Sequence, residues 1–105
     1  MDNFKENLRN SELVNIYSSL LSETQRDILR EYFCYDLSLS EIAENRGISR
    51  AAVEDAIKKG MKKIDCFEEE LGILQKREKT LKITAKIKEK YGNSDEIDEL
   101  ERLVK

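Results

Sequence analysis

Apolar residues recur every three or four positions along almost the whole chain, and no segment alternates as a half-buried strand would. In SELVNIYSSLL, Leu13, Ile16, Tyr17 and Leu20 share one helical face, with Ser11 as the cap. In SETQRDILREYF the stripe is Ile28, Leu29, Tyr32 and Phe33, and Ser22 followed three residues later by Gln25 has the form of a capping box. Asp36 begins a short break, after which Ser38 or Ser40 caps a short helix carrying Ile42 and Ala43. The next helix opens at Ser49, carries Val53, Ile57, Met61 and Ile64, and runs on through Phe67 towards Leu71. Gly60 interrupts that pattern at a cost of about 1 kcal/mol relative to Ala, so either a neighbour packs close to it or the helix bends. Gly72 marks a joint. Beyond it, ILQKREKTLKITAKIKEKY forms a helix with Leu74, Leu81, Ile83 and Ile87, stopped by Gly92 or Asn93 in a left-handed conformation. SDEIDELERLVK makes a last helix capped by Ser94, with Ile97, Leu100, Leu103 and Val104 as its stripe. The pattern predicts an all-α protein without repeats.

Composition narrows the function. At 105 residues one compact core is expected. A chain with 39% charged residues, no Pro and no Trp, and a mean hydropathy of −0.66, has the character of a soluble helical protein. Its apolar runs, such as YFCY, are far shorter than the roughly 20 residues of a membrane helix. MDNFKENLRN lacks the basic start and apolar run of a secretion signal, so the cytoplasm is the expected compartment and no membrane is expected as a partner. Cys34 and Cys66 are too few for a disulfide framework and are expected as small core residues. The absence of histidine removes the commonest general acid–base group and the commonest metal ligand. The four glycines, at 47, 60, 72 and 92, are isolated and form no phosphate loop. No enzyme activity, cofactor or metal site is expected.

Charge is laid down in blocks. Residues 49–64 hold five bases against two acids, and 65–70 hold four acids and no base. Residues 75–90 hold seven bases against two acids, and 91–105 hold five acids against two bases. Blocks of opposite sign suit helix pairing, within one chain or between two.

The stretch SLSEIAENRGISRAAVEDAIKKG has the marks of a helix-turn-helix. Ala43 is the small residue that a close helix crossing needs, and Gly47, four positions on, suits a turn at positive φ. Ile48 is expected to plug the corner, Ser49 to cap the second helix, and Ala52, Val53, Ala56 and Ile57 to face the core. That leaves Arg50, Ala51, Glu54, Asp55 and Lys58 facing outward at the end of the helix that enters a major groove in such motifs. Arg50 suits phosphate or guanine, while Lys58, Lys59 and Lys62 suit a phosphate backbone. Glu54 could accept from a cytosine amino group, but two carboxylates also repel phosphates.

LLSETQRDILREYFCYDLSLSEIAENRGISRAAVEDAIKKGMKKI resembles the DNA-binding C-terminal region of bacterial sigma factors. The chain is more closely similar to the YlxM family of small bacterial proteins, over about residues 8 to 90. The shared pattern falls on Tyr17, Ser19, Leu20, Leu21, Thr24, Gln25 and Arg26, then on Asp36, Ser38, Leu39, Glu41, Ile42, Ala43 and Glu44. It continues on Ser49, Arg50, Ala52, Val53, Asp55 and Ile57, and EELGIL resembles the segment that follows in the family. Where the family usually has an aromatic residue before the Asp, this chain has Glu54. The resemblance implies an all-helical fold, dimerisation, and a regulatory or accessory role in the signal recognition particle pathway. The last of these rests mainly on the family's gene lying beside that of the particle's GTPase.

Two functions follow as expectations. One is a nucleic-acid-binding regulator that contacts DNA or RNA through Arg50, Ala51, Glu54, Lys58, Lys59 and Lys62, aided by the basic face of 75–90. The other is an adaptor for protein components of the signal recognition particle, without nucleic-acid contact. Residues 1–70 are expected to form the helix-turn-helix domain, and 71–105 a helical extension that packs on the first or forms a dimer interface. Ile64, Phe67, Leu71, Leu74 and Leu81, spaced three, four, three and seven, resemble a short coiled-coil seam, and a homodimer is expected.

Overall fold

The computed structural model describes residues 4–105, with side chains from Asn7 onward; the first three residues of the N-terminal stretch read for a secretion signal lie outside the described residues. Every regular element among the described residues is helical: α1 (Phe4–Tyr17), a 3₁₀ turn (Ser18–Leu20), α2 (Glu23–Phe33), α3 (Leu39–Arg46), α4 (Arg50–Leu71), α5 (Ile73–Tyr91) and α6 (Asp95–Val104). The chain divides into two compact units, the first ending at Leu71 and the second spanning Gly72–Lys105.

In the first unit α1, α2 and α4 pack on one another, and α3 packs on α2 and α4. The buried apolar set is Leu13, Val14, Tyr17, Leu21, Ile28, Leu29, Ile42, Ala43, Val53 and Ile64. Two expectations for α1 fail. Ser11 is not its cap but lies inside it, with its hydroxyl 2.8 Å from the carbonyl of Phe33 on α2 and 2.9 Å from that of Asn7 one turn back. Leu20 leaves the stripe and is 58% exposed, because the tighter 3₁₀ turn shifts the register and passes the inward position to Leu21. Ser18 is fully buried in that turn, and its hydroxyl accepts from Arg30 Nε at 3.1 Å. At the far end of α4, the Tyr17 hydroxyl donates to Glu68 at 2.6 Å and its ring lies 6.0 Å from that of Phe67.

The helix starts follow from local chemistry. Ser22 accepts from the Gln25 amide at 3.3 Å, but Gln25 does not complete a capping box, because its side-chain oxygen accepts from Lys63 at 3.2 Å instead. Ser38 and Glu41 do form a full box on α3, each side chain accepting from the other residue's amide at 3.0 and 2.9 Å. These bonds, the backbone one first, hold the Glu41 carboxyl below the usual range. Gly60 resolves its alternative in favour of close packing: a Cβ there would lie 2.7 Å from Leu29 Cδ1.

The second unit is the α5–α6 pair. Gly72 (φ 60) breaks the chain between α4 and α5, so the apolar series from Ile64 to Leu81 lies on two helices and not on one continuous seam. The pair is joined by Glu101, which accepts from Lys88 at 2.6 Å and from the buried Thr84 hydroxyl at 2.7 Å. The Lys88 bond, then the Thr84 bond, lowers the Glu101 carboxyl below the usual range. Positive and negative blocks thus meet within the chain at this point. No residue of α6 is buried, and Leu100 and Leu103 of its stripe are exposed.

Candidate nucleic-acid interface

The candidate interface is built on α3, its turn and the first half of α4. Ile28, Ile42, Ala43 and Val53 form a closed core, with Tyr32, Leu37, Leu39, Ala56 and Ile57 packed around it. Gly47 takes the left-handed conformation (φ 65, ψ 34), and the Ile48 amide donates back to the carbonyl of Ala43 at 3.1 Å. Ser49 starts α4 by accepting from the amides of Ala52 and Val53, through its hydroxyl and its carbonyl respectively. The sequence spacing of Ala43, Gly47 and Val53 therefore produces a helix-turn-helix corner. Two side chains differ from expectation. Ile48 is 39% exposed and does not plug the corner, where Leu37 and Leu39 contribute instead. Ala52 faces solvent, because the core-facing line of α4 runs through Val53, Ala56 and Ile57. The corner is anchored to α2 by Arg46, which donates to Glu31 through both Nε (3.2 Å) and a terminal nitrogen.

Arg50, Ala51, Glu54, Lys58, Lys59 and Lys62 are all exposed on α4. Their charges do not act alike. Arg50 Nε lies 3.5 Å from Glu54 Oε1, and Lys59 Nζ lies 3.1 Å from Asp55 Oδ2, each pair one turn apart. Such exposed pairs are worth about 0.3–0.5 kcal/mol, so a phosphate can displace either carboxylate. Over 50–57 the helix carries one base against two acids, whereas 58–63 carries four lysines and no acid. The positive charge is centred on the turns after the one that would meet base edges.

Lys63 was not among the expected residues, yet with Lys59 and Lys62 it rims a shallow depression that also holds Gln25, Cys66 and Phe67. Its place beside Lys62 was the available signal; its bond to Gln25, 38 residues earlier, was not visible locally. Cys66 is exposed on this face and not buried as expected, while Cys34 is half-buried and its thiol is pushed up by that burial. Among the described residues no group of His, Cys, Asp or Glu is placed to hold a metal ion, and no helix is long and apolar enough to cross a membrane.

Residues 4–104 match the family described as "Putative helix-turn-helix protein, YlxM / p13 like" (UPF0122). The chain belongs to this family. A UPF0122 protein of Fusobacterium nucleatum is 42% identical over 81 residues, 77% of this chain and 79% of its own length. One from Clostridium botulinum is 44% identical over 89 residues, 81% of this chain and 82% of its own. One from Bacillus cereus is 37% identical over 91 residues, 87% of this chain and 83% of its own. The match extends beyond the stretch from 8 to 90 that carried the resemblance and takes in α6, so the family covers both units.

Proposed function

We propose that this is a non-enzymatic regulatory or accessory protein that binds nucleic acid, DNA or RNA, through α4 of its helix-turn-helix. The observation that carries this is the cluster Lys58, Lys59, Lys62 and Lys63 on successive turns of an exposed helix. Lys58 and Lys62 have no ion pair among the described residues. Lys58 and Lys62 grip phosphates, Arg50 and Lys59 join them by exchanging their carboxylate partners for phosphate, and Ala51 leaves room for close approach. Glu54 and Asp55 set the limit. Their charge near the base edges favours backbone contact over sequence-specific readout. The family resemblance extends the proposal to a place in the signal recognition particle pathway, inside the cell.

The test is fluorescence anisotropy of labelled signal recognition particle RNA and of a random DNA duplex, at 50 and 200 mM salt. Binding that weakens with salt, and weakens further in Arg50→Glu and in K58Q/K62Q, is the expected result. Salt-insensitive binding, or none, would sink the reading. The second reading, an adaptor for the particle's proteins without nucleic-acid contact, is favoured by the Arg50–Glu54 and Lys59–Asp55 pairs that neutralise the first turns of α4. It requires co-elution with the particle's GTPase in nuclease-treated samples. The exposed Leu100 and Leu103 of α6 support a homodimer formed through residues 71–105, which sedimentation at two concentrations tests.

A further inference from the structure

The second unit carries charge that the helix-turn-helix does not account for. Lys76, Lys79, Lys82, Lys86 and Lys90 of α5 are all exposed, at separations of three, three, four and four residues. At 3.6 residues per turn they fall within an arc of about 120° and along about 21 Å of helix. Lys79, Lys82, Lys86 and Lys90 lie on the side of α5 away from Thr84 and Lys88, through which the helix is bonded to α6, while Lys76 borders Leu103 and Val104 of α6. None of the five ammonium groups has an ion pair or side-chain hydrogen bond among the described residues. Glu78 and Glu89, the acids of this helix, sit at the edge of the stripe. Like charges three and four residues apart destabilise a helix, so the stripe is a standing cost that an anionic partner would relieve.

We infer that this stripe is a second docking surface, made for the phosphate backbone of a nucleic-acid duplex. A duplex carries one negative charge per about 1.7 Å of its axis, so about 21 Å presents on the order of twelve. Five ammonium groups on flexible stems reach separate phosphates without a fixed register. An anionic membrane fits less well, because a membrane-surface helix buries a broad apolar face, whereas here Ile83, Ile87 and Tyr91 accompany only Lys86 and Lys90, at one end of the stripe. An acidic protein fits less well too, since protein interfaces are depleted in lysine and centred on aromatic or arginine anchors, and the stripe has such neighbours only at its two ends, Arg77 beside Lys76 and Tyr91 beside Lys90. Arg77, between Lys76 and Lys79 in the sequence, turns to the side that faces α6, so the stripe itself offers no Arg, Asn or Gln and binds without regard to sequence.

The inference rests on the second unit's own charges and shares with the proposed function only the class of partner. Full-length K79Q/K82Q/K86Q, checked by circular dichroism for unchanged helix content, is titrated against two unrelated DNA duplexes and an RNA duplex. K79R/K82R/K86R and K58Q/K62Q are titrated alongside. The glutamine triple variant should bind roughly tenfold or more weakly at 50 mM salt, with its salt slope on DNA reduced by roughly 2 to 3, as expected for three lost phosphate contacts. Both DNA sequences should be affected equally, and the arginine variant should restore binding. Unchanged affinity and slope in the glutamine variant, with K58Q/K62Q weakened, overturns the α5 surface and leaves the α4 reading standing. The reverse pattern supports the α5 surface and removes α4. No duplex binding by the unaltered chain at tens of micromolar in low salt overturns both. Binding to phosphatidylserine vesicles that the glutamine variant loses, while its duplex binding is unchanged, overturns the inference in favour of a membrane.

Discussion

Gly60→Ala should reverse the effect that this substitution normally has in a helix. In an open helix alanine is favoured over glycine by about 1 kcal/mol. Here the added Cβ would stand 2.7 Å from Leu29 Cδ1 and 3.3 Å from Leu29 Cγ. Leu29 is fully buried, so its methyl group has no solvent to move into, and α2 and α4 must part or the leucine must leave its rotamer. Overpacking of this kind costs roughly 1–3 kcal/mol, which outweighs the helix gain and leaves a net loss of about 1 kcal/mol. Leu29→Ala removes the obstructing atoms at its own cost of roughly 2–5 kcal/mol. In that background Gly60→Ala should become stabilising by about 1 kcal/mol, since only the helix preference remains. The assay is urea unfolding of the four chains of the cycle, followed by circular dichroism, with midpoints compared at constant slope. A coupling of roughly 1–3 kcal/mol is expected. If Gly60→Ala has the same effect in both backgrounds, to within about 0.5 kcal/mol, close packing is not the reason for the glycine.

Ser38→Ala should cost about 1 kcal/mol by opening the capping box of α3, measured by the same unfolding assay; no change would mean that water replaces the cap. E54Q/D55N should leave stability within a few tenths of a kcal/mol, because the pairs it breaks are exposed. It should also tighten duplex binding several-fold by releasing Arg50 and Lys59; weaker binding would assign the acids to the contact itself. Glu101 has a lowered carboxyl, so its contribution is complete above the ordinary glutamate range and is lost as the pH falls through and below that range. Glu101→Gln should flatten that part of the pH–stability curve, and an unchanged acid limb would show that the bonds to Lys88 and Thr84 do not couple to folding.

The helix-turn-helix was legible because its determinants are local. Ala43, Gly47, Ser49 and Val53 act within a short stretch of consecutive residues, 43 to 53, and impose one backbone path. The errors fall where a distant element decides. Ser11 is a plausible cap until Phe33, 22 residues later, offers a carbonyl to its hydroxyl. Gln25 completes a capping box on paper, but its oxygen accepts from Lys63 and from the Ser22 hydroxyl and not from the Ser22 amide. Leu20 continues a helical stripe until a 3₁₀ turn breaks the period. Helical periodicity says which side of an element is apolar; it does not say whether enough partner surface exists to cover it, and for α6 the described structure leaves Leu100 and Leu103 exposed.

The charges obey a different logic from the fold. A core position rejects a wrong side chain by several kcal/mol, whereas an exposed ion pair one turn apart is worth a few tenths. Val53 therefore fixes where α4 lies, while Arg50 and Glu54 decide only what it meets at that place. For the same reason this corner can keep its shape while its affinity for phosphate is retuned, since adding or removing Glu54 leaves the packing beneath it untouched. On that argument the acids on the first turns of α4 would weaken the proposed hold at the base edges without weakening the helix. Under the proposed function, the lysines of α4, one turn further on, and of α5 carry the attraction, which predicts binding that is salt-sensitive and largely blind to sequence.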